Sequence, residues 1–195
     1  MNTRRRMRGV GLIEVLVAMV IIAVGLLGLL SLESHANHAE MESYQRAQAL
    51  ILMMDMVNRI KANSAYAGCY VLSNTSYANL GVDANDNDIS FSNTNCNSIA
   101  DGDMSAWNAL LQGASETMTV SGVTNNVGAM IDARGCISVV NATLNQYKVE
   151  VAWQGLSDTA APPVADVCGK DLYTDSTGNA DEKMRRDVSY IFNAP

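Results

Sequence analysis

The 195-residue sequence predicts an α+β chain, with one long N-terminal helix packed on a small antiparallel β-sheet and loops stapled by disulfides. The first half of that helix is expected to span a membrane. Three observations predict this plan. Residues 10–32 form an apolar run whose only charge is Glu14. Residues 33–62 continue in helix-forming residues without glycine or proline. Beyond them, short β-rich segments alternate with polar loops, and four cysteines are spread through that part.

The N-terminal run comes first. At ~1.5 Å per residue it covers ~35 Å, against a hydrocarbon core of ~30 Å. Arg4, Arg5, Arg6 and Arg8 precede it. The positive-inside rule keeps residues 1–9 cytoplasmic and sends the rest of the chain across. Removing those four from the 13 Lys and Arg leaves nine against 20 acidic residues, a net charge of −11 for the part that follows. So acidic a body argues against a nucleic-acid partner. Aromatic residues, at 6%, do not favour an aromatic-lined ligand pocket.

Three plainer readings of the run compete. A secretory signal peptide fits the basic start and a Ser34-His35-Ala36 cleavage site, but its apolar region is usually ~7–15 residues. A twin-arginine signal has Thr3-Arg4-Arg5 but lacks the residues that should follow. A plain membrane anchor leaves Glu14 without a reason. A carboxylate costs ~2.5–3.5 kcal/mol near the bilayer centre and less near an end, so it implies a partner and a role.

The stretch Gly9-Val10-Gly11-Leu12-Ile13-Glu14-Val15-Leu16-Val17-Ala18 resembles the N-terminal signal of type IV pilins and pseudopilins. The resemblance implies cleavage after Gly9, N-methylation of Val10 by the same prepilin peptidase, and an assembly role for Glu14 as the fifth mature residue. Val10 and Gly11 depart from the usual Phe and Thr or Ser. Val24-Gly25-Leu26-Leu27-Gly28-Leu29, Arg46-Ala47-Gln48-Ala49 and Asp55-Met56-Val57-Asn58-Arg59-Ile60-Lys61-Ala62-Asn63 further resemble minor pilins of the PilV type. Gly25 and Gly28 are read first as sites of close helix packing.

The implied division is 1–9 as a cleaved leader, 10–32 as transmembrane and assembly helix, 33–62 as amphipathic helix, and 63–195 as head. In 33–62, Ala47, Leu50, Met54 and Val57, widened by Met53 and Ile60, are expected to form the core face. His35 and His38 are read as exposed, not as metal ligands. Residues 63–102 read as loop. Within them 83–88 is rich in Asp and Asn but fails the EF-hand pattern, leaving calcium as a minor option. A short helix follows, capped by Asp103, with Trp107, Leu110 and Leu111 as its apolar face and Gly113 as its stop. Strands are expected at 117–120, 136–140, 147–153 and 188–192, with 141–145 joining the middle pair. Tyr147, Val149, Val151 and Trp153 share one face of their strand, and Lys148, Glu150 and Ala152 the other.

Cys69, Cys96, Cys136 and Cys168 contain no Cys-x-x-Cys pair, so disulfides in a translocated head are favoured over zinc. Three pairings are possible. The expected one is local, Cys69–Cys96 and Cys136–Cys168, with each loop of roughly thirty residues worth ~3–4 kcal/mol in the chain-entropy model. No catalytic constellation, cofactor motif or metal set stands out, and no enzyme activity is expected. The resemblance implies a structural minor pilin in the inner membrane and then the pilus, serving assembly initiation, the tip complex, twitching motility and adhesion. Implied partners are the prepilin peptidase/N-methyltransferase, other minor pilins, the major pilin, the inner-membrane assembly platform and a large tip adhesin. The alternatives are a minor pseudopilin of a type II secretion system and, from another class, an anchored ligand- or DNA-binding module.

Overall fold

The computed structural model describes residues 11–72, 80, 81, 96, 98–128 and 130–195. The chain divides into two compact units, Met1–Met41 and Glu42–Pro195. One α-helix, α1 (Leu12–Ala62, 51 residues), contributes to both. At ~1.5 Å per residue it is ~77 Å long. Arg59 and Lys61 in its last turn suit the negative end of the helix dipole.

In the first unit every described residue of α1 is exposed. The mean hydropathy of its most apolar 18-residue window is 2.9, and none of that window is buried. This helix is long and apolar enough to cross a membrane.

The second unit is built on a four-stranded antiparallel sheet in the order β1-β4-β5-β6. Its strands are β1 (Leu80–Gly81), β4 (Arg134–Asn141), β5 (Gln146–Gln154) and β6 (Arg185–Asn193). A second helix, α2 (Ser98–Leu111), and a separate hairpin of β2 (Thr117–Val120) and β3 (Val123–Asn126) lie between β1 and β4 in sequence. A 3-10 turn, Ser64–Tyr70, follows α1. Residues 142–145 turn β4 into β5, and an irregularity between Val139 and Asn141 shifts the register there.

The core joins one face of α1 (Ala49, Leu52, Met53, Met56, Val57, Ile60) to the inner face of the sheet (Ile137, Tyr147, Val149, Val151, Trp153, Val188, Phe192). Helix α2 adds Met104, Trp107 and Leu111. Trp107 ties the layers together: its indole N–H donates to the Leu52 carbonyl at 2.9 Å. The same ring lies over Gly135 of β4, where a Cβ would sit 2.4 Å from it.

Several expectations need correction. Ala47, Leu50 and Met54 are exposed, whereas Gln45, Ala49, Leu52 and Met56 are buried. The core stripe is rotated from the expected one and shares only Met53, Val57 and Ile60 with it. Helix α2 begins at Ser98, so Asp103 is inside it and is not its cap. The loop expected over 63–102 contains the 3-10 turn, β1 and the start of α2. Gly113 does end α2. Its N–H bonds to Leu110 and the next, of Ala114, to Ala109, a Schellman arrangement with Gly113 at φ 83°. All of 147–153 is buried. The face of β5 with Lys148, Glu150 and Ala152 lies under the 155–184 segment, where Cys168 and Tyr173 pack on Ala152 beside Cys136 and Met184.

Both disulfides are local: Cys69–Cys96 and Cys136–Cys168, each with Cα atoms 5.7 Å apart. The second fastens the 155–184 segment to β4.

Candidate assembly interface

Glu14 sits in the first turn of α1, where its backbone N–H bonds to the Gly11 carbonyl at 2.9 Å. The positive end of the helix dipole favours a carboxylate in that turn. Around it the helix is apolar and uncovered: Ile13, Leu16, Val17, Val20 and Ile21 are each more than 45% exposed. These side chains recur at helical spacing and form one continuous ridge. Gly25 and Gly28 meet nothing within 4 Å of an added Cβ, so no described residue approaches them. Gly9 and Val10, where cleavage and methylation are expected, lie outside the described residues, as does the acidic run 83–88. His35 and His38 are exposed on α1.

In the second unit three polar clusters hold α1 and the loops to the body. Arg59 bonds Asp55 at 2.7 Å and Asp103 at 2.8 Å, and Tyr70 donates to the other oxygen of Asp103 at 2.7 Å. Burial, and then the Asp103 hydrogen bond, push the Tyr70 hydroxyl up to about 12. Asn63 donates to the same hydroxyl. This joins α1, the 3-10 turn and α2. At the other end of the unit, Glu42 accepts from Leu156 N–H at 3.2 Å and from Arg186 at 3.1 Å. The Asp55/Arg59 pair is legible as an i,i+4 spacing. Its extension to Asp103, and the Glu42–Arg186 pair, have no local signal.

The third cluster is on the outer face of the sheet. Glu150, Asp166 and Asp187 place one carboxylate oxygen each within 4.8 Å of the others. Lys148 bridges Glu150 at 2.8 Å and Asp166 at 3.2 Å. Burial first, and then the Asp166 carboxylate, raise Asp187 to about 6. The Lys148 ammonium already pairs with two of the three carboxylates, so the cluster serves as an internal tie and carries no metal argument.

Residues 4–30 match the family described as the prokaryotic N-terminal methylation motif. The match takes in the four arginines, Gly9, Val10, Glu14 and most of the exposed apolar helix. Neither the search of curated proteins nor that of solved structures returned a match. An N-terminal methylation motif at the start of a long apolar helix, ahead of an α+β body with two disulfides, supports a type IV pilin-like protein, a pilin or a pseudopilin.

Proposed function

We propose that this chain is a minor pilin, a structural subunit that helps initiate type IV pilus assembly and takes its place in the tip complex. The observation that carries the reading is the wholly exposed apolar part of α1, within the matched motif, with Glu14 as its only charge. Such a surface is stable only when covered, first by lipid and then by other helices. Residues 1–9 act as a leader that prepilin peptidase removes after Gly9, and Val10 becomes the methylated N-terminus. Residues 10–32 then serve as membrane span and assembly helix, 33–62 as the bridge to the head, and 63–195 as head. The arginines hold the start of the chain in the cytoplasm, so the head is periplasmic before assembly and external afterwards.

Cleavage frees an ammonium at Val10 in or near the apolar phase. A buried ammonium and a buried carboxylate each favour pairing over isolation. In a filament, Glu14 of one subunit meets the amine of a neighbour and sets the register between helices. Other minor pilins and the major pilin are the neighbours, loaded by the inner-membrane platform, and a large adhesin is the cargo that twitching and attachment need.

Glu14→Ala is expected to leave membrane insertion intact and to cut incorporation into filaments at least tenfold, read by immunoblot of sheared filaments against membranes. Undiminished incorporation would sink the reading. The mass of the mature N-terminus tests processing directly: methylated Val10 is expected, and an intact Met1 excludes it. The same helix chemistry serves a secretion pseudopilin, and a deletion separates the two through loss of piliation rather than of enzyme export.

A further inference from the structure

Two of the three clustered carboxylates are fixed by the sheet. Glu150 of β5 pairs with Ser189 of β6, and Ala152 with Asp187, so Glu150 and Asp187 are diagonal neighbours on the outer face. Neither can withdraw from the other without breaking the strand pairing. The third, Asp166, has no such constraint. It lies in the 155–184 segment, which contributes no strand to the sheet.

Within that segment the arc 160–166 is fastened at its two ends and at one charged point. Before it, Arg186 donates to the Ser157 carbonyl, and the Thr159 N–H bonds to the Lys183 carbonyl at 3.1 Å. After it, Cys168 is bonded to Cys136. Along the arc the main-chain bonding is local, from the Asp166 N–H to the Pro163 carbonyl at 2.9 Å. None of its residues joins either apolar cluster. What meets it from the sheet is a set of polar side chains. Lys148 donates to the Ala165 carbonyl at 2.7 Å and pairs with Asp166 at 3.2 Å. Arg185 donates to the Asp166 carbonyl at 2.9 Å, and the Ser189 hydroxyl to the Asp166 carboxylate at 3.4 Å.

The charges at that point do not balance. Lys148 is shared between Glu150, at 2.8 Å, and Asp166. Arg185 is paired with Glu182, and Arg134 of β4 with Asp132. Asp187 faces Glu150 and Asp166 with no ion pair of its own among the described residues. A proton on Asp187 relieves that excess. Burial, and then the neighbouring Asp166, keep the proton there up to about pH 6.

We propose that the 160–166 arc is a latch that a proton on Asp187 holds closed. With Asp187 neutral, Lys148 and Arg185 keep Asp166 against the sheet. Once Asp187 is ionised, two fixed negative charges face a third that is free to leave. Lys148 keeps its closer partner, Glu150, and the arc lifts between Thr159 and Cys168. The disulfide confines the movement, and the strands stay paired. Opening uncovers Lys148 and Glu150, both buried in the closed form. The body thus presents a charged strip of β5 at neutral pH that it covers in mild acid.

Hydrogen exchange read by mass spectrometry tests this on the full chain in detergent micelles, at about pH 5 and about pH 7.5, with rates corrected for the intrinsic effect of pH. Peptides over 160–168 contain the bonded amides of Asp166 and Cys168. They should exchange at least fivefold faster at the higher pH, while 147–153 of β5 changes less than twofold. Asp187→Asn keeps the shape without the charge and should remove the difference. Asp166→Asn should remove it from the other side of the contact, so that the test survives if one variant does not fold. Non-reducing peptide maps of both disulfides check each fold. An arc insensitive to pH overturns the proposal. So does an acceleration shared by 147–153, which is general loosening, or a response that persists in a folded variant.

Discussion

At Asp187 three carboxylates meet two cationic side chains. Asp187 on β6 faces Asp166 in the 155–184 segment and Glu150 on β5, with Lys148 and Arg185 as the neighbouring cations. Negative charge is in surplus there, and burial together with Asp166 lifts Asp187 from 3.8 to about 6. Between those values the folded head holds a proton that the unfolded chain has released. The associated stability is therefore complete below about pH 4 and is lost as the pH rises through 6. With allowance for solvent screening, the head should be less stable at pH 7.5 than at pH 5 by on the order of 1 kcal/mol. Asp187→Asn should flatten that slope in thermal unfolding, and an unchanged slope would assign it to other groups. Individual residues differ in how far the sequence exposes them. Glu14 is visible because an acid in an apolar run has no neighbours to excuse it. The carboxylate cluster is not, because positions 150, 166 and 187 meet only through the β5–β6 register and the loop held by Cys168.

Among the elements, α1 shows how periodicity identifies a helix and still misplaces its face. Its second half carries apolar residues on two sides. Leu52, Met53, Met56, Val57 and Ile60 go into the core, while Leu50, Ile51 and Met54 remain 40–62% exposed. A 3.6-residue repeat fits either stripe, and only the partner surface decides between them. Strand β5 shows a related limit. Its alternation of Tyr147, Val149, Val151 and Trp153 marks the face toward α1, but the charged face is buried as well. Lys148 and Glu150 neutralise each other beneath the disulfide-held segment, so the polar residues do not report exposure. Strand β3 has no strand signal of its own, because Asn125 and Asn126 are poor strand formers, and its pairing with β2 supplies the order. The contact between α2 and β4 gives the sharpest test at this scale. Gly135→Ala would press a methyl group into the Trp107 ring and should cost about 1–3 kcal/mol in denaturant midpoint measurements, without altering either disulfide.

The molecule as a whole joins an apolar helix segment that no described residue covers to a body that has its own core. A chain starting at Glu42 should therefore stay soluble without detergent and melt cooperatively, by calorimetry and circular dichroism. The full chain should require detergent. Aggregation of the short chain would mean that the first unit contributes to the stability of the second. The plan of a long N-terminal helix, apolar in its first half, ahead of an α+β body with two disulfides was legible because each part has its own composition. The closing contacts of the head were not, because they join distant positions. The Glu42–Arg186 bond spans 144 residues. That separation has a kinetic consequence. If the chain is threaded across a membrane as proposed, α1 presents its core stripe long before β5 and β6 arrive. The stripe would then stay uncovered until contacts of large sequence separation close the core, and such non-local closure is intrinsically slow. Capture by a periplasmic holding factor, or sequestration of the stripe at the bilayer surface, would then be as much a condition of assembly as the helix that anchors it.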